Sequence, residues 1–389
     1  MITPPLNTLR LPPLSLYIHI PWCVQKCPYC DFNSHAQKGA IPEKEYVRHL
    51  LADLAADLSR YQESVQQRPL HSIFIGGGTP SLFSAENIAY LLHQIEQHIP
   101  FAPHIEITLE ANPGTAEAER FLGYVQAGVN RISMGIQSFS DEKLQKLGRI
   151  YNAAEAKRAV GFAHVSPLRS FNLDLMHGLP NQTLNEALDD LRQAIELAPP
   201  HLSWYQLTIE PNTMFAYRPP KLPDDDELWD IFEQGHQLLT AAGYQQYETS
   251  AYAKPGFQCQ HNLNYWRFGD YLAIGCGAHG KLSFPNGKIL RYSKTKHPKG
   301  YMRGEYLYEE RDVHTEDRPF EFFMNRFRLL EAVPKNEFEQ FTGLPLSSVE
   351  NTMAWAQDQK FITETDRTWQ VTEHGKLFLN ELLEGFLPE

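Results

Sequence analysis

Between residues 14 and 245, short β-like runs alternate with longer amphipathic segments, six of each. No other feature of the chain constrains its fold as strongly. The strand-like runs are "SLYIHI" (15–20), "HSIFI" (71–75), "IEITLE" (105–110), "RISMGI" (131–136), "SFNLDLM" (170–176) and "SWYQLTI" (203–209). The spacing predicts helices over 43–66, 84–98, 115–127, 152–163, 183–198 and 224–242. In the fifth of these, Leu188, Leu191, Ile195 and Ala198 form one apolar stripe. Ser84, Thr183 and the Asp224–Asp226 run are suited to capping their helices. Such alternation implies right-handed βαβ crossovers and a parallel sheet. Periodicity alone leaves open whether the sheet is doubly wound or a partial barrel.

The unusual residues cluster where strands end. Strand one runs into "PWCVQKCPYC", strand two into "GGGTP" (76–80), strand three into "EANPG", strand four into "QSF", strand five into "HGLP" and strand six into "EPNT". Turns collect Gly, Pro and Asn anywhere. The connections at the opposite ends of these strands are plainer, however, and parallel α/β folds build their sites at the C-terminal ends of strands.

Cys23, Cys27 and Cys30 lie within eight residues of one another, and the remaining cysteines, Cys259 and Cys276, are far downstream. Five cysteines in 389 residues do not make a disulfide framework. A structural zinc site would need a fourth ligand, from His35 or a distant cysteine. A redox pair of Cys27 and Cys30 leaves Cys23 idle. Three thiolates on an iron–sulfur cubane leave one iron open, as a reactive centre requires.

C-x3-C-x2-C after the first strand of a βα repeat resembles the signature of the radical S-adenosylmethionine (SAM) enzymes. That resemblance implies a partial (β/α)6 barrel and a 4Fe-4S cluster on Cys23, Cys27 and Cys30. It also implies SAM chelated at the open iron and cleaved by one electron to a 5′-deoxyadenosyl radical. "GGGTP", with Gly77, Gly78 and Thr79, resembles the family loop that contacts the SAM amino group, since glycines let backbone approach a ligand closely. Glu110, Gln137, Arg149 and Asp174 stand where the coproporphyrinogen-dehydrogenase-like subgroup has polar SAM contacts, and Tyr17 and Tyr29 match aromatic contact positions. One SAM is implied. A second, held through Gly78, Thr79, Gln137, Arg149 and Asp174 as in the dehydrogenase branch, stays open.

Within that subgroup two branches resemble this chain. Oxygen-independent coproporphyrinogen III dehydrogenases carry a fourth cysteine two residues after the third and a longer segment before the cluster. Here Phe32 takes that place, and 22 residues precede Cys23. The other is a haem-chaperone branch with an H-N-x-x-Y-W stretch, matched by "HNLNYW" (His261, Asn262, Tyr265, Trp266). That match implies haem binding, with His261 a candidate axial ligand and Tyr265 and Trp266 as flat walls. Cys259, Cys276 and His279 are rival ligands. Residues 281–303 hold seven Lys/Arg and no Asp/Glu, so they could receive propionates or form a solvated basic loop. The implied partners are a haem-accepting protein and an electron donor for the cluster; a homodimer stays open.

The rest of the chain bounds these readings. Hydrophobic residues make up 42%, enough for a large core. The net charge of −12 disfavours nucleic-acid binding. "MITPPLNTLRLPP" has no apolar targeting run, and no stretch is long enough to span a membrane, so a cytoplasmic location is expected. The expected divisions are a barrel over 1–245, an irregular connecting segment with a few strands over 246–312, and a mainly helical, winged-helix-like domain over 313–389. The last carries 7 basic and 14 acidic residues, which favours a structural or partner-binding role over DNA binding.

Overall fold

The structure is a computed structural model and describes residues 9–114 and 120–388. The expected targeting-free N-terminal residues 1–8 and the start of the predicted 115–127 helix lie outside the described residues. Six parallel strands stand in sequence order: β1 (Leu14–Ile20), β2 (Leu70–Gly77), β3 (Phe101–Ala111), β4 (Arg131–Gln137), β5 (Ser170–His177) and β6 (His201–Gln206). Helices α1 (Glu43–Arg60), α2 (Ala85–His98), α3 (Phe121–Gln126), α4 (Asp141–Lys146), α5 (Ala153–Val165), α6 (Leu184–Glu196) and α7 (Asp225–Ala241) connect or follow them. The predicted 43–66 helix breaks at Tyr61, and α4 was not expected from the sequence. The caps are those the sequence suggests. The Ser84 hydroxyl accepts from the Asn87 amide, and Thr183 and Asp224 each form a capping box with the glutamate three residues on.

Strand parity explains why this sheet curls around a polar interior. Leu14, Leu16, Ile18 and Ile20 face the helices and are buried in the main core. Their alternates Ser15, Tyr17 and His19 share a face with Ser72 and Phe74 of β2, their register partners. Glu106 and Thr108 of β3 continue that face, and Arg131, Asn172 and His201 belong to it across β4–β6. Polar groups therefore line the inside, and the aliphatic half of each strand buries the helices.

The stretch 246–312, expected to be mostly irregular, instead extends this sheet on both sides. Beyond β6 lie β8 (Ala251–Ala253) and then β7 (Gln245–Glu248), both antiparallel. On the other flank β9 (Asp270–Ile274) pairs in parallel with β1. β10 (His279–Ser283), β11 (Ile289–Lys294) and β12 (Leu307–Asp312) then follow as an antiparallel meander, giving twelve strands in all. The short helix α8 (Gln260–Trp266), which carries "HNLNYW", packs on β2, β1 and β9.

The C-terminal region joins helices, including Arg318–Arg326, Lys335–Thr342 and Glu350–Asp358, to a three-stranded sheet whose hairpin turns between Ile362–Glu364 and Thr368–Val371. This is the expected winged-helix-like arrangement. Its core is aromatic, with the Phe323 and Phe386 rings 4.4 Å apart, and it reaches the barrel through Leu9, Phe268, Ile289 and Val313. No helix among the described residues is long and apolar enough to cross a membrane.

Candidate functional site

The cysteine loop is pinned at both ends. Trp22–Cys23 pairs with His35–Ala36, the His35 amide donates to the Pro21 carbonyl at 2.7 Å, and the Gln37 amide donates to the Cys23 carbonyl at 2.7 Å. The thiols are unpaired and half-buried. Arg149 donates to the Cys27 sulfur at 3.4 Å, a cation suited to a thiolate. Among the described residues, no three His, Cys, Asp or Glu side chains converge on a single metal ion. A zinc ion needs that convergence. A cubane does not, because each thiolate holds a different iron, so this donor set suits a cluster better than one ion.

A cavity of about 300 Å³ opens over the loop. It is lined by the three cysteines and by Tyr29, Gly77, Gly78, Thr79, Glu110, Gln137, Arg149 and Asp174. The fold thus brings together all the residues predicted for the cluster and SAM except Tyr17. Tyr17 lines an adjoining cleft that shares Cys30, Phe32, Gly77 and Glu110 with the first cavity. Asn112, Ser133, Gly135 and Tyr205 also line the cavity and were not singled out from the sequence. Tyr205 could have been found by parity, since it lies on the same face of β6 as Ser203.

The glycines also hold the cysteine loop, a role not expected from the sequence. Gly78 and Thr79 donate their amides to the Ile20 and Trp22 carbonyls at 2.7 and 2.8 Å. A β-carbon on Gly78 would lie 2.6 Å from the Trp22 carbonyl oxygen, and Gly77 has φ of +113° with no room beside His19. The close approach is therefore to the cysteine loop itself, and "GGGTP" holds that loop in place.

Opposite lie the polar groups. The Gly77 amide donates to Glu110 at 2.9 Å. Burial, then the Asp174 charge, push the Glu110 carboxyl up to about 7, while the Gly77 amide opposes the rise. Asp174 accepts from Ser133 at 3.1 Å and Asn172 at 2.8 Å. Gln137 has φ of +66°, a strained backbone that carries its side chain to the Tyr205 hydroxyl at 3.0 Å. Arg149 also donates to the Gly135 carbonyl at 2.9 Å.

The structure does not bring His261 to this cavity. On α8 it is 1% exposed, its Nδ1 is 2.8 Å from the Ser72 hydroxyl, and its Nε2 has no partner among the described residues. Burial, then the Arg131 charge, lower its pKa to about 3, so the ring is neutral. Glu106 fixes the start of α8 by accepting from the Gln260 and His261 amides. The Tyr265 ring stands 4.6 Å from that of His261, and Trp266 lies under the Arg328 guanidinium. The rivals Cys259 and Cys276 are fully buried, whereas His279 is exposed.

The basic stretch is largely committed to ion pairs. Lys281 pairs with Asp270, Lys288 with Asp312, Arg291 with Glu321, and Lys294 with Asp53 and Asp57. Only Lys296, Lys299 and Arg303 of the seven are exposed.

The model of the Radical SAM superfamily matches residues 17–194, and that of the HemN C-terminal domain matches residues 313–378. A Haemophilus influenzae protein named heme chaperone HemW is 79% identical over 98% of this chain and 99% of its own length. The chain belongs to the HemW family. An Escherichia coli member, also named heme chaperone HemW, is 67% identical over 98% of this chain and 100% of its own. The solved Escherichia coli coproporphyrinogen III oxidase HemN superposes with a TM-score of 0.81 over 97% of this chain and 90% of its own, at 22% identity. At that identity the likeness shows a shared fold, and this chain thus has the partial barrel with its C-terminal domain.

Proposed function

We propose that this chain is a cytoplasmic haem chaperone that binds haem and passes it to an acceptor protein. It carries a 4Fe-4S cluster on Cys23, Cys27 and Cys30 whose open iron takes SAM. The observation that carries this reading is the near-full-length identity of 79% to a relative named heme chaperone HemW. When bound, the cluster supplies an electron and SAM a cleavable sulfonium. The chain's own residues hold and orient. "GGGTP" fixes the cysteine loop, Arg149 steadies Cys27, and Glu110 offers a buried carboxylate to the SAM ammonium.

Coproporphyrinogen dehydrogenation is the second reading, favoured by the HemN-like fold. Phe32, where that branch has a fourth cysteine, weighs against it. Anaerobic reconstitution, followed by haem binding and coproporphyrinogen turnover assays on one sample, separates the two. Saturable haem binding without turnover is expected. Formation of protoporphyrinogen would move the assignment to the dehydrogenases.

Glu110 gives a sharper test of the SAM site. A charge-assisted hydrogen bond contributes about 1.5–3 kcal/mol, so Glu110→Gln should weaken SAM binding roughly 10- to 100-fold. The readout is the change SAM makes in the reduced cluster's electron paramagnetic resonance spectrum. In the wild type, the carboxyl must lose its proton to receive an ammonium. Affinity should therefore fall as pH drops below about 7, and Glu110→Gln should remove that dependence.

A further inference from the structure

The cleft beside the cluster cavity has a volume of about 730 Å³, within the range of small-molecule sites. Its floor is aromatic. The Tyr265 and Tyr271 rings meet at 4.3 Å, and Phe32 is 61% exposed at the rim. Phe32 thus sets an apolar ring at the mouth of the cleft, beside the cysteine loop. Two cations, Lys26 and Lys296, line the same cleft, as do two acids, Asp31 and Glu110. Lys26 donates to the Phe32 carbonyl at 3.1 Å, which ties its ammonium to the backbone at the rim.

Three histidines also reach this cleft. His19 is not free to ligate, because its Nδ1 is 3.0 Å from the Tyr17 hydroxyl and its Nε2 is 2.9 Å from the Asn33 carbonyl. His35 has an Nε2 shielded from solvent and its ring edge-on to His297 at 5.6 Å. His279 opens β10 and is exposed to the cleft. Burial, then the Lys296 and Arg291 charges, lower its pKa, which keeps the lone pair of a neutral imidazole available. By contrast, His261, Cys259 and Cys276 are each at most 1% exposed.

We propose that the haem cargo sits in this cleft, with His279 as its axial ligand, its face on Phe32 and its carboxylates toward Lys26 and Lys296. The proposal rests on reading the chain as a haem chaperone, and adds where the haem goes. The cargo then lies against Cys30, Gly77 and Glu110, so SAM and the cluster border it directly. Haem and SAM then share a wall formed by Cys30, Gly77 and Glu110.

The test uses the full-length chain, reconstituted anaerobically and titrated with hemin and, separately, with iron-free protoporphyrin IX. His279→Ala should move the Soret band and weaken hemin binding about tenfold or more. It should leave iron–sulfur content unchanged and protoporphyrin affinity within about twofold, because only the metal bond is lost. The Lys26→Ala/Lys296→Ala double variant should weaken both ligands alike. Wild-type protein that takes up no hemin saturably would sink the chaperone reading itself. If wild-type binds but His279→Ala keeps the wild-type spectrum and affinity, the reading stands and this site is wrong. Loss of the Soret band in His261→Ala alone would place the ligand on α8 and overturn the assignment.

Discussion

Replacing Cys23, Cys27 and Cys30 together with alanine will leave a folded protein with no 4Fe-4S cluster and no broad visible absorbance. The three thiols lie on one loop at the C-terminal end of β1 and are half-buried, so no core packing depends on them. Cys259→Ala and Cys276→Ala should retain full cluster content. Those thiols are fully buried, Cys259 against Glu106 and Cys276 near Asn33, and neither lines the cluster cavity. Iron and sulfide analysis after anaerobic reconstitution checks the prediction. Stoichiometric iron in the triple variant would mean that other ligands hold it. Zinc in place of iron in the wild type would favour a structural site. The fold should persist in either case, because the Gly78 and Thr79 amides hold the start of the loop through the Ile20 and Trp22 carbonyls.

The barrel was legible in the sequence because its signal is local. "SLYIHI" alternates aliphatic and polar residues, and β1 spans those residues with one more at the start. Capping at Ser84, Thr183 and Asp224 was legible for the same reason, since each cap and its partner lie within a turn. What was not legible depends on distant partners. β9 pairs with β1, and nothing within Asp270–Ile274 announces a parallel neighbour at the other end of the chain. Lys281 and Lys294 looked like free cations because Asp270, Asp53 and Asp57 come from elsewhere in the sequence. His261 looked available because the stretch names it but does not say which side of α8 faces the barrel. The glycines of "GGGTP" were found by pattern, but the use of the Gly78 and Thr79 amides in holding Ile20 and Trp22 needed coordinates.

Lys294→Ala should cost the fold roughly 3–5 kcal/mol, the expected loss when one partner leaves a buried ion pair. Lys294 sits at 0% exposure in β11, 2.6 Å from both Asp53 and Asp57 of α1, and so ties the antiparallel meander to the first barrel helix. Tyr301 donates to Asp53 at 2.7 Å and Tyr292 to Asp57 at 3.2 Å. Removing the ammonium leaves two carboxylates in a dry site with only hydroxyl and amide donors. Burial already raises Asp57 to about 7 against the pull of Lys294. A carboxyl raised in the fold binds more protons there than in the unfolded chain, so its contribution to stability falls as pH rises from about 4 to about 7. Without Lys294 that window moves to higher pH. The variant's deficit, read from urea unfolding, should therefore be larger at pH 8 than at pH 5, where protonation relieves it. Lys288→Ala is the control. Its pair with Asp312 is 39% and 56% exposed, and its loss should cost less than about 1 kcal/mol at either pH. A Lys294→Ala deficit as small as that of Lys288→Ala would mean that water reaches the site and that the cluster of charges is not buried in solution.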